Sequence, residues 1–237
     1  MILGILQART SSTRLPRKVV MTIRGKSLLE YQIERIKLSE KIDKLVIATS
    51  TNSEDDIIVK IAKKCEVDYY RGDLNNVLER FYGVCKKYNP NAIVRLTGDC
   101  PLIDCQIIDD IIAIYKKNRN YDLVVNTFNR TFPDGMDVEL LSLDAFEQIY
   151  KNSKTKEEKE HVTHYIYTNP SNFKVFNYSY RSDFSHLRLT VDEIEDFELV
   201  SKIYRYFLPR IDFSWLDIIS LLTEHPELLF KNRFLIK

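Results

Sequence analysis

Glycine is scarce in this chain, with six residues among 237. Neither the G-x-G-x-x-G fingerprint of dinucleotide-binding folds nor the G-x-x-x-x-G-K-S/T phosphate loop occurs in the sequence. Both motifs hold phosphate groups with the backbone N–H groups of a glycine-rich loop. Dinucleotide binding of the Rossmann type and P-loop hydrolysis are therefore disfavoured, and a phosphate ligand would have to be held by side chains.

Paired cysteines, excess charge and long apolar runs are also lacking. The four cysteines form no C-x-x-C pair and have no metal-type spacing with histidine, so we expect reduced thiols in a reducing compartment. A formal net charge of +1 argues against a dedicated binder of nucleic acid or acidic membranes. The chain has no run of about 18 apolar residues that could span a membrane, and its apolar start is too short for a signal sequence. These absences predict a cytoplasmic protein.

Short apolar runs alternate with segments of helical periodicity over the first 125 residues. The predicted strands are residues 1–7, 44–49, 67–71, 92–97 and 121–125. A strand–helix–strand order implies parallel pairing through right-handed crossovers. We therefore predict a doubly wound, mostly parallel α/β sheet, which binds ligands at the carboxyl ends of its strands. The pattern changes near residue 126, so residues 1–237 are predicted as one domain with a small inserted subregion at about 126–180.

Helix starts in the sequence are marked by capping residues. Ser27 and Glu30 form a capping-box pattern that predicts a helix through about residue 38. Ser53 precedes a second amphipathic segment, and Asn75 or Asn76 is positioned to cap a third. The remaining predicted elements are helices at 142–150, 156–167 and 194–207, and strands at 173–178 and 187–191.

The residues after the first predicted strand carry a high density of cations and hydroxyl groups. Residues 7–18 include four cations, Arg9, Arg14, Arg17 and Lys18, and four hydroxyl groups at positions 10–13. Hydroxyl and backbone N–H groups bind phosphate oxygens, while Arg and Lys neutralise them. A polyphosphate is the simplest ligand that fits this loop. An exposed basic loop without a ligand is the alternative.

Two carboxylates follow predicted strands at the same edge of the sheet. Asp99 comes after the fourth predicted strand, and Asp192 comes after a later one. Such a pair beside phosphates suits Mg²⁺, which takes few protein ligands together with phosphate oxygens. The alternatives are a turn cap for Asp99 and a helix N-cap for Asp192. Arg95 lies inside an apolar strand and is expected to meet Asp99, Asp104 or the substrate.

In these motifs the sequence resembles the cytidylyltransferase superfamily that makes CMP-activated sugar acids, and more closely its spore-coat polysaccharide biosynthesis branch. The matches follow the family's order over residues 1–206. The matched motifs are A-R-x-G-S-x-R-x-P-x-K from Ala8 (with Ser11 in place of the glycine), R-G-D from Arg71, G-D-x-P-L-I from Gly98, P-D-G-M-D-V-E from Pro133, E-H-V-T from Glu160 and D-x-x-x-D-L/F from Asp192.

The resemblance implies a nucleotide-diphospho-sugar transferase-like fold and a role for each matched residue. The residues it assigns to the nucleotide are Ala8, Arg9, Ser12, Arg14, Lys18, Arg71 and Thr97, with Arg71 and the backbone around Ala8 at the cytosine. The residues it assigns to catalysis are Arg9, Arg14, Lys18 and Asp99. The residues it assigns to the acceptor are Asp134, Asp137, Glu139, His161 and Arg188. The residues it assigns to Mg²⁺ are Asp99 and Asp192.

The implied reaction is the transfer of CMP from CTP to a small acidic acceptor with release of pyrophosphate, in surface polysaccharide or capsule biosynthesis. A sugar acid, a phosphorylated sugar and a small phospho-acid are all compatible acceptors. The resemblance also implies a homodimer built through the inserted subregion. Two alternatives stay open: a nucleotidyltransferase that uses another NTP, and a nucleotide-binding module with degenerate chemistry. A metal-dependent glycosyltransferase is disfavoured, because no Asp-x-Asp motif occurs.

Overall fold

The computed structural model describes residues 1–229, in which the chain forms one large sheet and one small hairpin. In chain order the strands are β1 (Ile2–Gln7), β2 (Thr22–Ile23), β3 (Lys26–Ser27), β4 (Lys44–Ser50), β5 (Asp68–Gly72), β6 (Ala92–Thr97), β7 (Leu123–Val125), β8 (Glu139–Ser142) and β9 (Val175–Asn177). The short strands β2 and β3 pair with each other, and the others form the large sheet. The strands predicted in the first part of the chain are all present, with ends within two residues of the prediction.

The large sheet has the strand order β5-β4-β1-β6-β8-β7-β9. Strand β1 pairs in parallel with β4 and β6, β4 with β5, and β7 with β9. Within the described part of this sheet, only β8 runs in the opposite direction, and it pairs with β6 and β7. The carboxyl ends of β1, β4, β5 and β6 therefore lie along one edge. The predicted doubly wound, mostly parallel α/β fold is confirmed, and the segment at about 126–180 supplies β8 and β9 to the same sheet.

Helices cover both faces of the sheet. They are α1 (Leu28–Lys37), α2 (Asp56–Lys64), α3 (Val77–Tyr88), α4 (Cys105–Lys117), α5 (Leu143–Asn152), α6 (Lys156–Glu160), α7 (His164–Thr168), α8 (Ile194–Phe207) and α9 (Trp215–Glu224). Side chains of α1, α2, α4, α8 and α9 share one apolar core with Leu6 of β1. Those of α3, α5 and α7 share a second core with Ile5, on the other face. No helix within residues 1–229 is long and apolar enough to cross a membrane.

The predicted helix starts at Ser27 and Asn76 are confirmed, whereas Ser53 lies in a short 3-10 turn and the N-cap of α2 is Asp55. Ser27 accepts a hydrogen bond from the N–H of Glu30, whose carboxylate accepts one from the N–H of Ser27 over 2.7 Å. Asn76, rather than Asn75, caps α3 by accepting from the N–H of Glu79 over 3.0 Å. Such caps contribute about 1 kcal/mol each. The predicted bounds of α8 agree with the structure.

The prediction of one helix at 156–167 is wrong, because the chain forms two helices there, α6 and α7. At the break His161 has an extended conformation, with φ −108° and ψ 91°. The side chain of Val162 enters the second apolar core, and the hydroxyl of Thr163 donates to Glu139 over 3.0 Å. Burying these two β-branched side chains outweighs the local preference for a continuous helix.

The strand predicted at 187–191 is also wrong. Within the described residues this segment forms a single isolated bridge, between Arg188 and Asp134. The N–H of Val191 donates to the carbonyl of Asp99 over 2.8 Å, which is a contact with a loop rather than a strand. The segment is extended because its backbone bonds to two loops, and these bonds bring the residue that follows it next to the end of β6.

Candidate active site

A cavity of about 330 Å³ opens at the carboxyl ends of β1 and β6. It lies between the loop after β1, the start of α3, the end of α6 and the segment that leads into α8. Residues that are far apart in the sequence meet around it. Its lining includes nine of the predicted site residues: Ala8, Arg9, Ser12, Arg14, Lys18, Thr97, Asp99, His161 and Asp192.

The loop after β1 is held in place by the buried carboxylate of Asp55. The N–H and Oγ1 of Thr10 donate to Oδ1 of Asp55 over 2.8 and 2.7 Å, and Ser50 donates to Oδ2. The N–H of Arg17, which has φ 62°, donates to the carbonyl of Thr10 over 2.8 Å and turns the loop back on itself. Burial raises the pKa of Asp55, but the hydrogen bonds from Ser50 and Thr10 outweigh it and leave the pKa below its ordinary value. The loop is therefore fixed by an ionised carboxylate.

Lys18 joins the two carboxylates that the sequence predicts as a metal pair. Its Nζ donates to Oδ1 of Asp192 over 2.8 Å and to the carbonyl of Val191 over 2.7 Å. Oδ2 of Asp99 lies 3.6 Å from the same nitrogen. The side chain is buried, and removing one partner of a buried ion pair is costly, so these contacts hold both carboxylates at the cavity wall.

Asp192 is surrounded by positive charge. Besides Lys18, it pairs with Nη2 of Arg14 over 2.8 Å and with Nη2 of Arg188 over 2.9 Å. Burial raises the pKa of Asp192, but the hydrogen bond from Lys18 and the charges of all three cations lower it by more, so the carboxylate is ionised at neutral pH. The alternative that Asp192 caps α8 is wrong, because Glu193 is the N-cap residue.

The two carboxylates offer a donor set that fits Mg²⁺. No group of three or more His, Cys, Asp or Glu side chains within residues 1–229 is arranged to hold a metal ion. Mg²⁺ does not require such a group, because it binds through one or two carboxylates together with waters and substrate phosphates. Asp99 and Asp192, beside the cations of the loop after β1, meet that requirement.

Arg95 has a partner that the sequence analysis did not predict. Its Nη1 donates to Oε2 of Glu139 over 2.5 Å, and the two residues are opposite each other in β6 and β8. Neither Asp99 nor Asp104 forms an ion pair with it; Arg95 lines the cavity, and a contact with the substrate, the third alternative, stays a prediction. Glu139 is 6% exposed and also accepts from Thr163. Glu139 is predicted to bind the acceptor, but it lies outside the cavity lining. Its carboxylate is bound to Arg95 and Thr163 instead.

Asp134 and Asp137, also predicted to bind the acceptor, lie outside the cavity lining. Asp137 accepts two hydrogen bonds from Arg130, over 2.5 and 2.8 Å. Asp134 lies 3.8 Å from Nη1 of Arg188, and burial together with the charge of Asp137 raises the pKa of Asp134. Gly135 has φ 105°, and a Cβ there would lie 2.6 Å from the backbone of the segment that carries Arg188. The glycine thus permits the close approach of these two loops.

The guanidinium of Arg71, predicted to read the base, also lies outside the lining. Its Nε and Nη2 donate to the carbonyls of Ser50 and Asn52, each over 2.8 Å, and its Nη1 donates to Asp56 over 2.6 Å. These bonds tie the end of β5 to the turn after β4.

The cavity has lining residues that the sequence analysis did not assign to a site, among them Val77, Arg80 and Glu160. Glu160 pairs with Arg9 over 3.1 Å. Arg80 is buried near the start of α3. The sequence contains a signal for this residue. Arg80 interrupts the apolar stripe of a predicted helix, beside Phe81 and three positions after Val77.

Comparison with known proteins places this site in a family. The family model for cytidylyltransferases matches residues 3–214. The chain is 40% identical over 233 residues to an uncharacterised protein of Methanocaldococcus jannaschii, covering 96% of this chain and 92% of that protein. It is 33% identical over 234 residues to the spore coat polysaccharide biosynthesis protein SpsF of Bacillus subtilis, covering 95% of each.

A solved structure shows the same architecture. The cytidylyltransferase of Leptospira borgpetersenii superposes with a TM-score of 0.93 at 36% identity, covering 96% of this chain and 95% of that chain. The resemblance stated from the motifs is confirmed over nearly the whole length. The chain therefore belongs to the cytidylyltransferase family and is a CTP-dependent nucleotidyltransferase.

Proposed function

We propose that this enzyme transfers CMP from CTP to a small acidic acceptor and releases pyrophosphate, as a step in surface polysaccharide biosynthesis. The observation that carries the proposal is the contact of Lys18 with both Asp99 and Asp192 at the cavity wall. A cation and two carboxylates from three distant segments meet there beside the loop after β1. The similarity to SpsF, which is named for spore coat polysaccharide biosynthesis, supports the biological context.

The loop after β1 supplies the groups that would bind the triphosphate. Arg and Lys side chains neutralise phosphate oxygens, while hydroxyl and backbone N–H groups donate hydrogen bonds to them. The backbone at Ala8 and the side chain of Thr97 would border the nucleoside. The residues proposed for the triphosphate are Arg9, Ser12, Arg14 and Lys18, all of which line the cavity.

Asp99 and Asp192 would hold Mg²⁺ together with phosphate oxygens of CTP. The bound ion supplies positive charge that offsets the negative charge on the phosphates. Lys18 keeps the two carboxylates at the cavity wall, since its Nζ contacts both of them.

The transfer requires positioning and charge stabilisation. An acceptor oxygen, which gives up its proton to solvent where it is a hydroxyl, forms a bond to the α-phosphorus in line with the bond that breaks, and pyrophosphate leaves with the electron pair of that bond. Arg14 and Lys18 would stabilise the charge of the leaving group. A cysteine nucleophile is not required, and Cys100 beside Asp99 is unsuited to that role because burial raises the pKa of its thiol.

The acceptor would bind on the side of the cavity that His161 lines. Arg188, also assigned to the acceptor by the resemblance, lies outside the cavity lining and pairs with the lining residue Asp192 over 2.9 Å. A sugar acid, a phosphorylated sugar or a small phospho-acid each carries negative charge that the cations of the cavity would attract. We also propose that the enzyme acts in the cytoplasm, in capsule or coat synthesis, as a homodimer built through residues 126–180.

Thermal unfolding with CTP, UTP, GTP and ATP, each with and without Mg²⁺, tests the donor. A ligand at about 100 times its Kd adds about 2.7 kcal/mol to stability, which raises the midpoint of a chain this size by roughly 5–10 °C. We expect the largest shift with CTP, and we expect it to require Mg²⁺. Equal shifts with all four nucleotides would contradict the cytidine assignment. The absence of any shift would contradict nucleotide binding at this cavity, while a shift without pyrophosphate release would favour the degenerate nucleotide-binding module.

Pyrophosphate release with CTP and a panel of sugar acids and phosphorylated sugars then tests the reaction. We expect Asp99→Asn to lower turnover by about 100–1,000-fold, because it removes a charge that holds the metal and the phosphates. Asp212→Asn removes an exposed carboxylate outside the cavity lining and serves as the control. A fully active Asp99→Asn enzyme would eliminate the metal assignment.

A further inference from the structure

Arg80 is a buried arginine with an incomplete set of partners. It is 2% exposed, and neither its Nε nor its Nη1 has a hydrogen-bond partner within residues 1–229. Leaving the donors of a buried cation unpartnered is costly in a folded protein. The same residue lines the cavity at the ends of β1 and β6. Arg80 is therefore a buried cation with unsatisfied donors in the wall of the cavity where the ligand binds.

Packing, rather than hydrogen bonding, holds the side chain of Arg80. Its Cγ lies against Gly72, where an added Cβ would approach it to 2.7 Å. Gly72 therefore leaves room for the stem of the arginine at the end of β5. Burial, with the positive charge of Arg9 in addition, lowers the pKa of Arg80 to about 10, so the guanidinium is still charged at neutral pH. A charged donor group is thus fixed in place before the ligand arrives.

Arg80 and Lys18, one of the phosphate-binding cations, lie on different walls of the cavity. Arg80 belongs to α3, which packs on one face of the sheet, whereas Lys18 binds Asp192 at the approach to α8, on the other face. One turn before Arg80, the apolar side chain of Val77 lines the cavity. This wall suits a flat ligand group that has an apolar surface and hydrogen-bond acceptors on its edge.

We propose that Arg80 recognises the cytosine base of CTP by donating hydrogen bonds to its O2 and N3 atoms, an inference that rests on the proposed function. A guanidinium only donates, and O2 and N3 of cytosine are adjacent acceptors. Uracil carries a hydrogen on N3, which would face a donor of Arg80. The residue therefore favours CTP over UTP both by attraction to one base and by a mismatch with the other. Arg71, to which the resemblance assigns the base, binds the turn after β4 instead.

Calorimetric titration of CTP, UTP and inorganic tripolyphosphate, in the presence of Mg²⁺, tests this role. The variants are Arg80→Gln, which removes the charge, and Arg80→Lys, which keeps the charge but loses the planar pair of donors. We expect each to weaken CTP binding by about 10–100-fold, as for the loss of one bidentate contact to a base. UTP and tripolyphosphate should change by less than about 3-fold, so that the preference for CTP over UTP collapses. Arg205→Gln, at an exposed position on α8, is the control for loss of a positive charge.

The titrations separate base recognition from phosphate binding and from misfolding. If Arg80→Gln weakens tripolyphosphate as much as CTP, Arg80 binds phosphate and the inference is overturned. An unchanged CTP-to-UTP ratio in both variants would also overturn it. Thermal unfolding without ligand checks the fold, and we expect the midpoint of either variant to be no lower than that of the wild type, because no hydrogen bond of Nε or Nη1 is lost.

The same data distinguish a failure of this inference from a failure of the proposed function. If the wild type prefers CTP and the variants keep that preference, only the role of Arg80 is excluded. If the wild type binds tripolyphosphate but does not distinguish CTP from UTP, both the role of Arg80 and the cytidine assignment are excluded.

Discussion

Two arginines are equally buried in this protein, and their surroundings differ. Arg35 of α1 and Arg80 of α3 are each 2% exposed. All three guanidinium nitrogens of Arg35 donate to backbone carbonyls, whereas two of those of Arg80 have no partner among the described residues. The carbonyls that accept from Arg35 belong to Leu102, Ile103, Ile211 and Phe213.

The difference separates an arginine that stabilises the fold from one that is available to a ligand. Arg35 satisfies carbonyls of two loops that have no strand to pair with, and its guanidinium lies 4.2 Å from the centre of the Phe213 ring. It is also outside the cavity lining. Burial alone does not distinguish the two residues. The completeness of their hydrogen bonding and the location of their unsatisfied donors do.

The largest effect on stability is expected at Arg35. Replacing Arg35 by Met leaves four backbone carbonyls, three of them in buried residues, without their donor, and we expect the free energy of unfolding to fall by about 3–5 kcal/mol. Arg80→Met is the matched control, with no loss or a gain of about 1 kcal/mol, because it removes an unsatisfied cation. Urea denaturation of both variants measures the difference. Equal losses at the two positions would show that Arg80 is also structural.

A smaller, pH-dependent effect on stability is expected at Asp55. Like Arg35, it is a buried charged residue that hydrogen-bonds to a loop, but its charge is negative. Its buried carboxylate accepts from Thr10 and Ser50, and its pKa in the folded state is lower than the unfolded value of about 3.9. The resulting stability is fully present above about pH 4 and is lost as the pH falls through the folded pKa. We expect Asp55→Asn to lose about 1–3 kcal/mol at neutral pH.

The pH dependence of that loss distinguishes charge from shape. The deficit of Asp55→Asn should shrink below about pH 4, because only the wild type has an ionised carboxylate to lose there. Urea denaturation between pH 3 and pH 7 measures the deficit across this window. A deficit that is the same at every pH would mean that the loop after β1 depends on the shape of the side chain and not on its charge.

The fold could be predicted from the sequence because its determinants are local. The apolar runs of β1, β4 and β6 and the capping box at Ser27 each lie within a few residues of chain. The two wrong elements depend on distant partners. The break between α6 and α7 requires Glu139 to accept from Thr163, and the segment before Asp192 is extended because it bonds to two loops. The spacing of apolar residues within either segment does not indicate those partners, so the two elements could not be predicted from it.

The candidate site was predicted in part for the same reason. Lys18 and Asp99 come after β1 and β6, so topology places them at the same edge of the sheet. Asp192 reaches that edge through the hydrogen bond of Val191 with Asp99 and not at the end of a strand. Arg71 and Glu139 are also near that edge, but their side chains bind protein groups outside the cavity lining. Which group a guanidinium or carboxylate contacts depends on side-chain conformation and on strand register, and neither can be derived from spacing.

The smallest effect on stability is expected at the ion pair of Arg9 and Glu160, which lines the cavity. Arg9 has a carboxylate partner, in contrast to Arg80. Their side chains are 37% and 44% exposed, and pairs with such exposure contribute about 0–1 kcal/mol. We expect Glu160→Gln to change the free energy of unfolding by less than about 0.5 kcal/mol. CTP should bind about 2–5-fold more tightly, because a negative charge leaves the lining and Arg9 is released for the triphosphate.

Glu157→Gln is the matched control for that variant. It removes the same charge from α6, at a side chain that is 79% exposed and outside the cavity lining. Calorimetric titration should therefore show a gain in CTP affinity for Glu160→Gln that exceeds any change in Glu157→Gln, and the gain should diminish at high ionic strength, since salt screens exposed charges. An equal gain in both variants would indicate a general effect of net charge. A loss of affinity in Glu160→Gln alone would mean that the carboxylate holds Arg9 in its binding position, so that this pair acts as part of the site.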